Sequence, residues 1–378
     1  MTKLVAQLRV LLAIGAVAAL ATAAAGCGSD SDEGGGSGDT SSAFPEAVKV
    51  NEEFEKRPTS IGVKTPVGKP IPKGKEIVFI QCGVPACATE REIFEEAMGP
   101  LGWKLKSIDA GTTPEEIKAA YQQAINIKPD AVLGSGFSRV LYEPELQQLK
   151  KLGIPVIQSF VQDEPGNGLT AVIAGATTSE YQGKMMANYV LANSDDKEMT
   201  VGVISVKGFE TVEATAEKVE EIIAAECPTC KTKRLNAPVT SIGNDLPQRI
   251  SSFLTANPEI KWVTAGYNDV VVGLPTALKG AGVEDVKLVT VNINPSIAPY
   301  LKKGEYLQAT VGTSFPEVYF RVVDVLTRLF TDQPYEESID SNTLPYWTIT
   351  AETLPSTTEE FPVVTDYKEQ YFKLWGVE

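Results

Sequence analysis

The sequence predicts an α/β protein with two doubly wound, largely parallel sheets. Short runs rich in Val and Ile, such as 76–81 and 287–291, alternate with segments of helical spacing from residue 75 onward. This alternation is typical of parallel strands covered by helices on both faces. Gly and Pro stand between the segments, where helices end and strands begin. A chain of 378 residues can bury two cores, so two lobes are expected.

The amino terminus has the pattern of an export signal. Lys3 and Arg9 precede an apolar run over 10–25, which is short for a membrane span. The run ends in Ala24-Ala25-Gly26-Cys27, which resembles the lipobox of bacterial lipoproteins. The resemblance implies a signal peptide over 1–27 and a lipid on Cys27, which would become the first mature residue. Plain secretory cleavage with an unpaired Cys27 is the alternative.

The region 28–74 is expected to be a tether followed by a strap. Residues 28–42 are Gly, Ser, Asp and Thr, a composition that cannot bury a core. Helical spacing over 44–57 predicts a short helix, and four prolines over 58–75 predict an extended segment. The tether would let a globular domain work close to a membrane protein.

The first globular region alternates strands with helices at short intervals. Its predicted strands are 76–81, 103–108, 130–135, 155–159 and 171–174, and its predicted helices are 88–101, 114–127 and 143–152. The second region repeats the pattern. Its predicted strands are 200–205, 232–235, 260–265, 287–291 and 307–311, and its predicted helices are 180–192, 212–225, 246–256, a segment after 269, 297–302 and 315–329.

Several motifs resemble those of ribose-type (type I) periplasmic binding proteins, the ligand receptors of ABC importers. They are Asp109-Ala110-Gly111, the run 127–132 (Ile-Lys-Pro-Asp-Ala-Val), the run 152–157 (Leu-Gly-Ile-Pro-Val-Ile) and the unit that begins at Asn268-Asp269. The resemblance implies two lobes joined by a three-crossing hinge around a ligand cleft. Lobe 1 would be 75–177 plus 314–342, and lobe 2 would be 178–313 plus 343–378.

In a parallel sheet, ligands bind beyond the carboxyl ends of strands. Residues there that we predict to face the ligand are Val84, Phe137, Phe160, Phe209, Tyr267, Asn268, Asn292, Thr313 and Ser314. In the resembled family, an Asn and an Asp at the positions of Asn268 and Asn292 hydrogen-bond a sugar. Phe160-Val161 stands where sugar-binding members have Asp-Arg. We therefore expect a small, mostly neutral aromatic or alicyclic ligand, with a sugar-like ligand as the alternative.

Four cysteines beyond the export signal suggest disulfides in an exported chain. In the resembled fold, Cys82 and Cys87 lie at the cleft mouth, and Cys227 and Cys230 at the far edge of the other lobe. Pairing is therefore expected to be local, Cys82 with Cys87 and Cys227 with Cys230. A four-cysteine zinc site or a redox Cys-x-x-Cys are the alternatives.

Composition excludes several functional classes. The formal charge of −15 argues against a nucleic-acid partner, and the chain has no histidine, the commonest general base and metal ligand. We expect no enzyme, no cofactor and no metal site. The expected protein is a monomeric, lipid-anchored receptor at the outer face of the cytoplasmic membrane, with an ABC permease as partner. A sensory lipoprotein that presents a signal molecule to a membrane receptor is the alternative.

Overall fold

The computed structural model describes residues 42–83, 86–359 and 361–377. All of them belong to one compact unit, 41–378. The predicted signal peptide with Cys27, nearly all of the tether and the predicted site residue Val84 lie outside the described residues. Within the described ranges, no helix is both long enough and apolar enough to cross a membrane.

The first lobe is built on a five-stranded sheet in which all paired strands are parallel, in the order β2-β1-β3-β4-β5. Its strands are β1 (Glu76–Gln81), β2 (Lys104–Asp109), β3 (Ala131–Ser135), β4 (Val156–Ser159) and β5 (Leu169–Ile173), and the helices between them are α2 (Ala86–Met98), α3 (Pro114–Ile127) and α4 (Glu143–Lys151). Strands β3 and β4 are buried along their whole length, as expected for a sheet covered on both faces.

Local signals set the ends of these helices. The Thr113 side chain accepts from the Glu116 amide, and the Glu116 carboxylate accepts from the Thr113 amide, so a capping box starts α3. Lys128 ends the helix in the left-handed conformation.

The second lobe is built on a six-stranded sheet in the order β11-β10-β9-β8-β6-β7, with only β11 antiparallel to its neighbour. Its strands are β6 (Thr200–Lys207), β7 (Lys231–Pro238), β8 (Ile260–Ala265), β9 (Lys287–Val291), β10 (Leu307–Gly312) and β11 (Trp347–Thr350), and the helices of this lobe are α5 (Ala176–Ala192), α6 (Glu210–Glu226), α7 (Leu246–Ala256), α8 (Leu274–Gly280) and α9 (Ala298–Lys303). The two sheets confirm the predicted fold class.

Side chains on the two faces of β1 enter two different cores. Ile77 and Phe79 belong to one buried cluster, whereas Val78 and Ile80 belong to the other. This division follows from the alternation of side chains along a strand. Helices therefore cover both faces of the sheet.

The chain passes between the lobes several times. It enters the second lobe after β5. Helix α10 (Phe315–Leu329) then returns to the first lobe and packs on α2, while β11 goes back to the second sheet. The short helix α11 (Glu336–Ile339) lies between them.

The sequence analysis assigns residues 343–378 to the second lobe, but in the structure this tail is divided between the two lobes. Strand β11 joins the second sheet, but α12 (Tyr367–Trp375) packs against α10. The Phe320 ring of α10 lies 4.8 Å from Tyr367 and 5.9 Å from Trp375, measured between ring centroids. Burial of these aromatic rings accounts for the position of α12.

The amino-terminal strap connects both lobes. Helix α1 (Pro45–Glu55) packs on α5 and β11, and residues 57–75 lead from it to β1. The buried guanidinium of Arg321 on α10 donates to the Ile61 carbonyl of the strap and, over 2.7 Å, to Thr343 Oγ1. Gly62 lies beside this contact at φ 84°, where a Cβ would be only 1.9 Å from the Thr343 carbonyl oxygen.

Candidate functional site

The carboxyl ends of strands from both sheets meet at one small cavity. Its volume is about 80 Å³. It is lined by residues from the strand ends and the helices that follow them, namely Cys82, Cys87, Glu90, Ser135, Gly136, Phe160, Gln182, Phe209, Thr211, Val212, Gly266, Tyr267, Asn268, Val291, Asn292 and Phe315. Five of the predicted site residues are in this set, Phe160, Phe209, Tyr267, Asn268 and Asn292.

Asn268 lies in the turn that follows β8 and lines the cavity. Thr290 Oγ1 donates to the carbonyls of Ala265 and Tyr267, over 2.9 and 3.0 Å, and so ties this turn to β9. Asn268 is only 2% exposed, and its Nδ2 has no hydrogen-bond partner among the described residues. An unpaired buried amide costs about 1 to 3 kcal/mol, which a ligand acceptor would recover.

Phe160 and Asn292 occupy matching strand ends in the two lobes. Each follows the last residue of its strand at positive φ, 55° for Phe160 and 47° for Asn292. The Phe160 amide donates to the Ile173 carbonyl, and the Asn292 amide donates to the Val311 carbonyl. Positive φ is unusual for a phenylalanine, and such strained residues are common at ligand sites. Both lobes therefore direct one such side chain into the cavity.

Asn292 contributes a second unpaired group. Its Oδ1 is buried without a hydrogen-bond partner in the described part of the chain. Gly312, at φ 119°, ends the next strand, and a Cβ on it would lie 3.1 Å from this oxygen and 3.3 Å from Gln182 Nε2. Glycine at this position thus leaves room for both amides.

Aromatic rings line the cavity from each lobe. Phe160 and Phe315 form an edge-to-face pair with centroids 5.6 Å apart. Phe209 and Tyr267 form a tilted pair 6.0 Å apart. A compact ligand would therefore meet aromatic rings on two sides.

Glu90 is a lining residue that the sequence reasoning missed. It lies on α2, is 3% exposed, and accepts a hydrogen bond from Ser135 Oγ at 3.3 Å through Oε1. Its Oε2 has no partner among the described residues. Burial raises the pKa of this carboxyl to about 8, although the nearby hydroxyls of Tyr319 and Ser135 act in the opposite direction.

Asp269 is next to the cavity but is committed to other side chains. Its Oδ2 accepts from the Tyr267 hydroxyl at 3.2 Å, and its Oδ1 accepts from Asn294 Nδ2 at 3.2 Å. Burial raises the pKa of Asp269, and burial together with the neighbouring Asp269 charge raises the pKa of Tyr267. Asp269 therefore orients the Tyr267 ring and does not itself line the cavity.

Three further predicted site residues lie outside the lining. Phe137 is buried in the core beyond Gly136. Thr313 is buried, with Oγ1 lacking a hydrogen-bond partner in the described chain. Ser314 Oγ accepts from the Val363 amide at 3.3 Å and so holds the carboxyl-terminal tail. Phe315, the next residue along, is the one that reaches the cavity.

Four cysteines form two local disulfides, Cys82–Cys87 and Cys227–Cys230. The ligand atoms of Cys82, Cys87 and Glu90 lie within 4.8 Å of one another. The disulfide leaves neither sulfur as a thiolate, which is the form that binds metals, so this trio does not fit a metal ion.

The cavity can bind a solute. It combines aromatic walls, two unpaired amide groups and one unpaired carboxylate oxygen, all placed by strand ends and helices of both lobes. This is the make-up of a small-molecule site.

A sequence profile described as "Periplasmic binding protein domain" matches residues 83–334, more than half of the chain. The chain belongs to the periplasmic binding protein family. The family comprises extracytoplasmic solute-binding proteins of ABC transporters, which are not enzymes. No curated protein sequence matches the chain at a significant level.

Solved structures share this fold. A crystal structure of an ABC sugar transporter subunit from Rhodobacter sphaeroides superposes with a TM-score of 0.62 at 17% identity, covering 74% of this chain and 99% of that one. A glucose-galactose binding protein from Geobacillus stearothermophilus superposes with a TM-score of 0.65 at 15% sequence identity, and the match covers 75% of this chain and 100% of that one. A 5-methylthioribose transporter solute-binding protein from Thermotoga lettingae superposes with a TM-score of 0.65 at 17% sequence identity, and the match covers 82% of this chain and 99% of that one. At these identities the likeness establishes the fold.

Proposed function

We propose that the chain is a substrate-binding lipoprotein that captures a small solute between its lobes and delivers it to an ABC importer. One observation carries the proposal: unpaired polar atoms from both lobes converge on the same cavity. Glu90 Oε2 comes from the first lobe, and Asn268 Nδ2 and Asn292 Oδ1 come from the second. A solute that contacts these atoms in both lobes would bind more tightly when the lobes are closed around it, and so would favour the closed state.

Solute capture can be tested on the purified chain with a panel of neutral sugars, alcohols, amines and carboxylates. A solute that binds should raise the melting temperature in a concentration-dependent way and reduce the radius of gyration measured by small-angle X-ray scattering. Asn268→Ala should weaken that response, whereas Asn244→Ala, an exposed amide in the second lobe, should leave it intact. A chain that keeps one shape and one melting temperature across the panel would contradict solute capture.

The lipid anchor is a separate part of the proposal and rests on Ala24-Ala25-Gly26-Cys27. Multiple acyl chains on Cys27 would hold the protein at the outer face of the cytoplasmic membrane. In the native host, wild type should incorporate labelled palmitate and sediment with membranes, and Cys27→Ser should do neither. Crosslinking in those membranes would identify the partner. A permease supports import, and a membrane kinase or chemoreceptor would favour the sensory role instead.

A further inference from the structure

From the cavity's chemistry we infer that the solute is a compact organic ammonium ion, whose charged nitrogen pairs with Glu90 and whose apolar body lies between the two aromatic pairs. This inference rests on the proposed solute-binding function and names the chemical class of solute. It departs from the neutral ligand that the sequence predicts, because Glu90 places a carboxyl in the cavity wall.

Among the described residues that line the cavity, Glu90 is the one whose side chain can become charged near neutral pH. No lysine or arginine is among the described lining residues to balance that charge, and Glu90 Oε2 is buried without a hydrogen-bond partner among the described residues. Once ionised, a carboxyl in this position repels an anion, and an apolar molecule would leave its oxygen without a hydrogen-bond partner. A positively charged donor would supply a hydrogen bond to Glu90 Oε2 and a positive counter-charge for the ionised carboxylate.

The aromatic rings of the cavity also favour an organic ammonium ion. Phe160 with Phe315 on one side, and Phe209 with Tyr267 on the other, present four rings to a cavity of about 80 Å³. Aromatic ring faces attract organic cations, most strongly where water is excluded. The protein's formal charge of −15 would also attract cations at long range.

A polyhydroxylated sugar fits this cavity less well. Beyond Glu90, the buried side-chain groups without a partner among the described lining residues are Asn268 Nδ2 and Asn292 Oδ1. Each sugar hydroxyl left without a partner would cost about 1 to 3 kcal/mol. One ammonium group together with one or two further polar atoms matches the available partners.

The surroundings of Glu90 give the binding a pH signature. Burial raises the pKa of Glu90 to about 8, so at pH 7 the solute-free carboxyl holds a proton. The groups that face it are the Tyr319 hydroxyl from α10, Ser135 at the end of β3, the Cys82–Cys87 disulfide, and Tyr267 after β8. Burial raises the pKa of both tyrosines well above neutral, so Glu90 is the one of these groups that titrates near pH 8. Binding of an ammonium ion should therefore expel that proton.

The test uses primary ammonium ions paired with neutral molecules of the same shape: cyclohexylamine with cyclohexanol, and benzylamine with benzyl alcohol. Ribose and galactose complete the set. Isothermal titration calorimetry on the purified full chain at pH 6, 7 and 8, in buffers of different ionisation enthalpy, measures affinity and proton release together. We expect at least one amine to bind at least about tenfold more tightly than its alcohol. Close to one proton should be released at pH 7, and affinity should rise between pH 6 and 8.

Glu90→Gln keeps the shape of the side chain and should abolish both the amine preference and the proton release. Glu92→Gln, an exposed position on the same helix, is the matched control and should change neither. The wild-type comparison of each amine with its alcohol tests the inference even if Glu90→Gln fails to fold. Equal or tighter binding of the alcohols or sugars, without proton release, would overturn the ammonium assignment but leave solute capture standing. An amine preference that persists in Glu90→Gln would also overturn it. Absence of any solute response would instead refute the proposed function itself.

Discussion

At Asp324 on α10, a small chemical change should have a large effect on stability. Its side chain is fully buried and accepts three hydrogen bonds. Oδ2 accepts from Arg328 Nε at 2.8 Å and from Ser338 Oγ at 2.5 Å, and Oδ1 accepts from Trp375 Nε1 at 2.8 Å. This single carboxylate thus joins α10 to α11 and α12.

Asp324→Asn changes one oxygen to an amino group that cannot accept a hydrogen bond, and it removes the charge opposite Arg328, which is only 2% exposed. Loss of one partner of a buried ion pair costs about 3 to 5 kcal/mol because the other charge stays buried and uncompensated. We therefore expect a decrease of that size in the free energy of unfolding, measured by urea denaturation.

Asp332→Asn is the matched control for this substitution. Asp332 is exposed and has φ 50°, a conformation that asparagine tolerates. Its effect on the unfolding free energy should be within about 0.5 kcal/mol. If Asp324→Asn loses less than about 1 kcal/mol, the carboxylate does not hold these helices together in the way described.

Three further predictions concern binding, pH and backbone strain. Asn268→Ala should weaken solute binding by about 1 to 3 kcal/mol, roughly 5- to 150-fold in Kd by calorimetry, and unchanged affinity would remove Asn268 from the site. Burial raises the pKa of Glu317 to about 8 in the folded chain, from 4.5 for a glutamate in water. The folded state therefore binds a proton that the unfolded state releases, so stability should fall as pH rises from about 4.5 to about 8, by at most about 1.4 kcal/mol per pH unit for this group. Glu317→Gln should flatten that part of the profile, and an unchanged slope in urea melts would show that Glu317 does not titrate there. Gly62→Ala should lower the free energy of unfolding by at least about 1 kcal/mol more than Gly282→Ala does. Both glycines have positive φ, but only a Cβ at position 62 would collide with Thr343. Equal unfolding free energies for the two variants would contradict this contact.

Much of the fold could be predicted because its signals are local. Strands 260–265 and 287–291 and helices 114–127 and 315–329 have the bounds that the spacing predicts. Apolar runs, capping residues and proline at the first helical turns are contained in a few neighbouring residues. The same reasoning placed Asn268 and Asn292 at strand ends, where the parallel sheet directs them to the cavity.

Other features depend on contacts between distant segments. Helix α12 packs against α10 because Phe320, Tyr371 and Trp375 bury one another, and the spacing of the tail alone does not show which lobe it meets. The strap is held by Arg321, 260 residues further along the chain from Ile61.

The difference is clearest at the ligand cavity. Glu90 stands among several acids of α2, and helical spacing does not distinguish the one that faces the cavity from those that face solvent. Ser314 has a side chain suited to the cavity, but it holds Val363 of the tail instead. Strand order and chain alternation follow from short-range patterns of hydrophobicity and turn residues. The chemistry of the cavity wall depends on which side chains are buried together when the two lobes pack. Burial is a property of the folded chain as a whole, so short-range patterns do not show it.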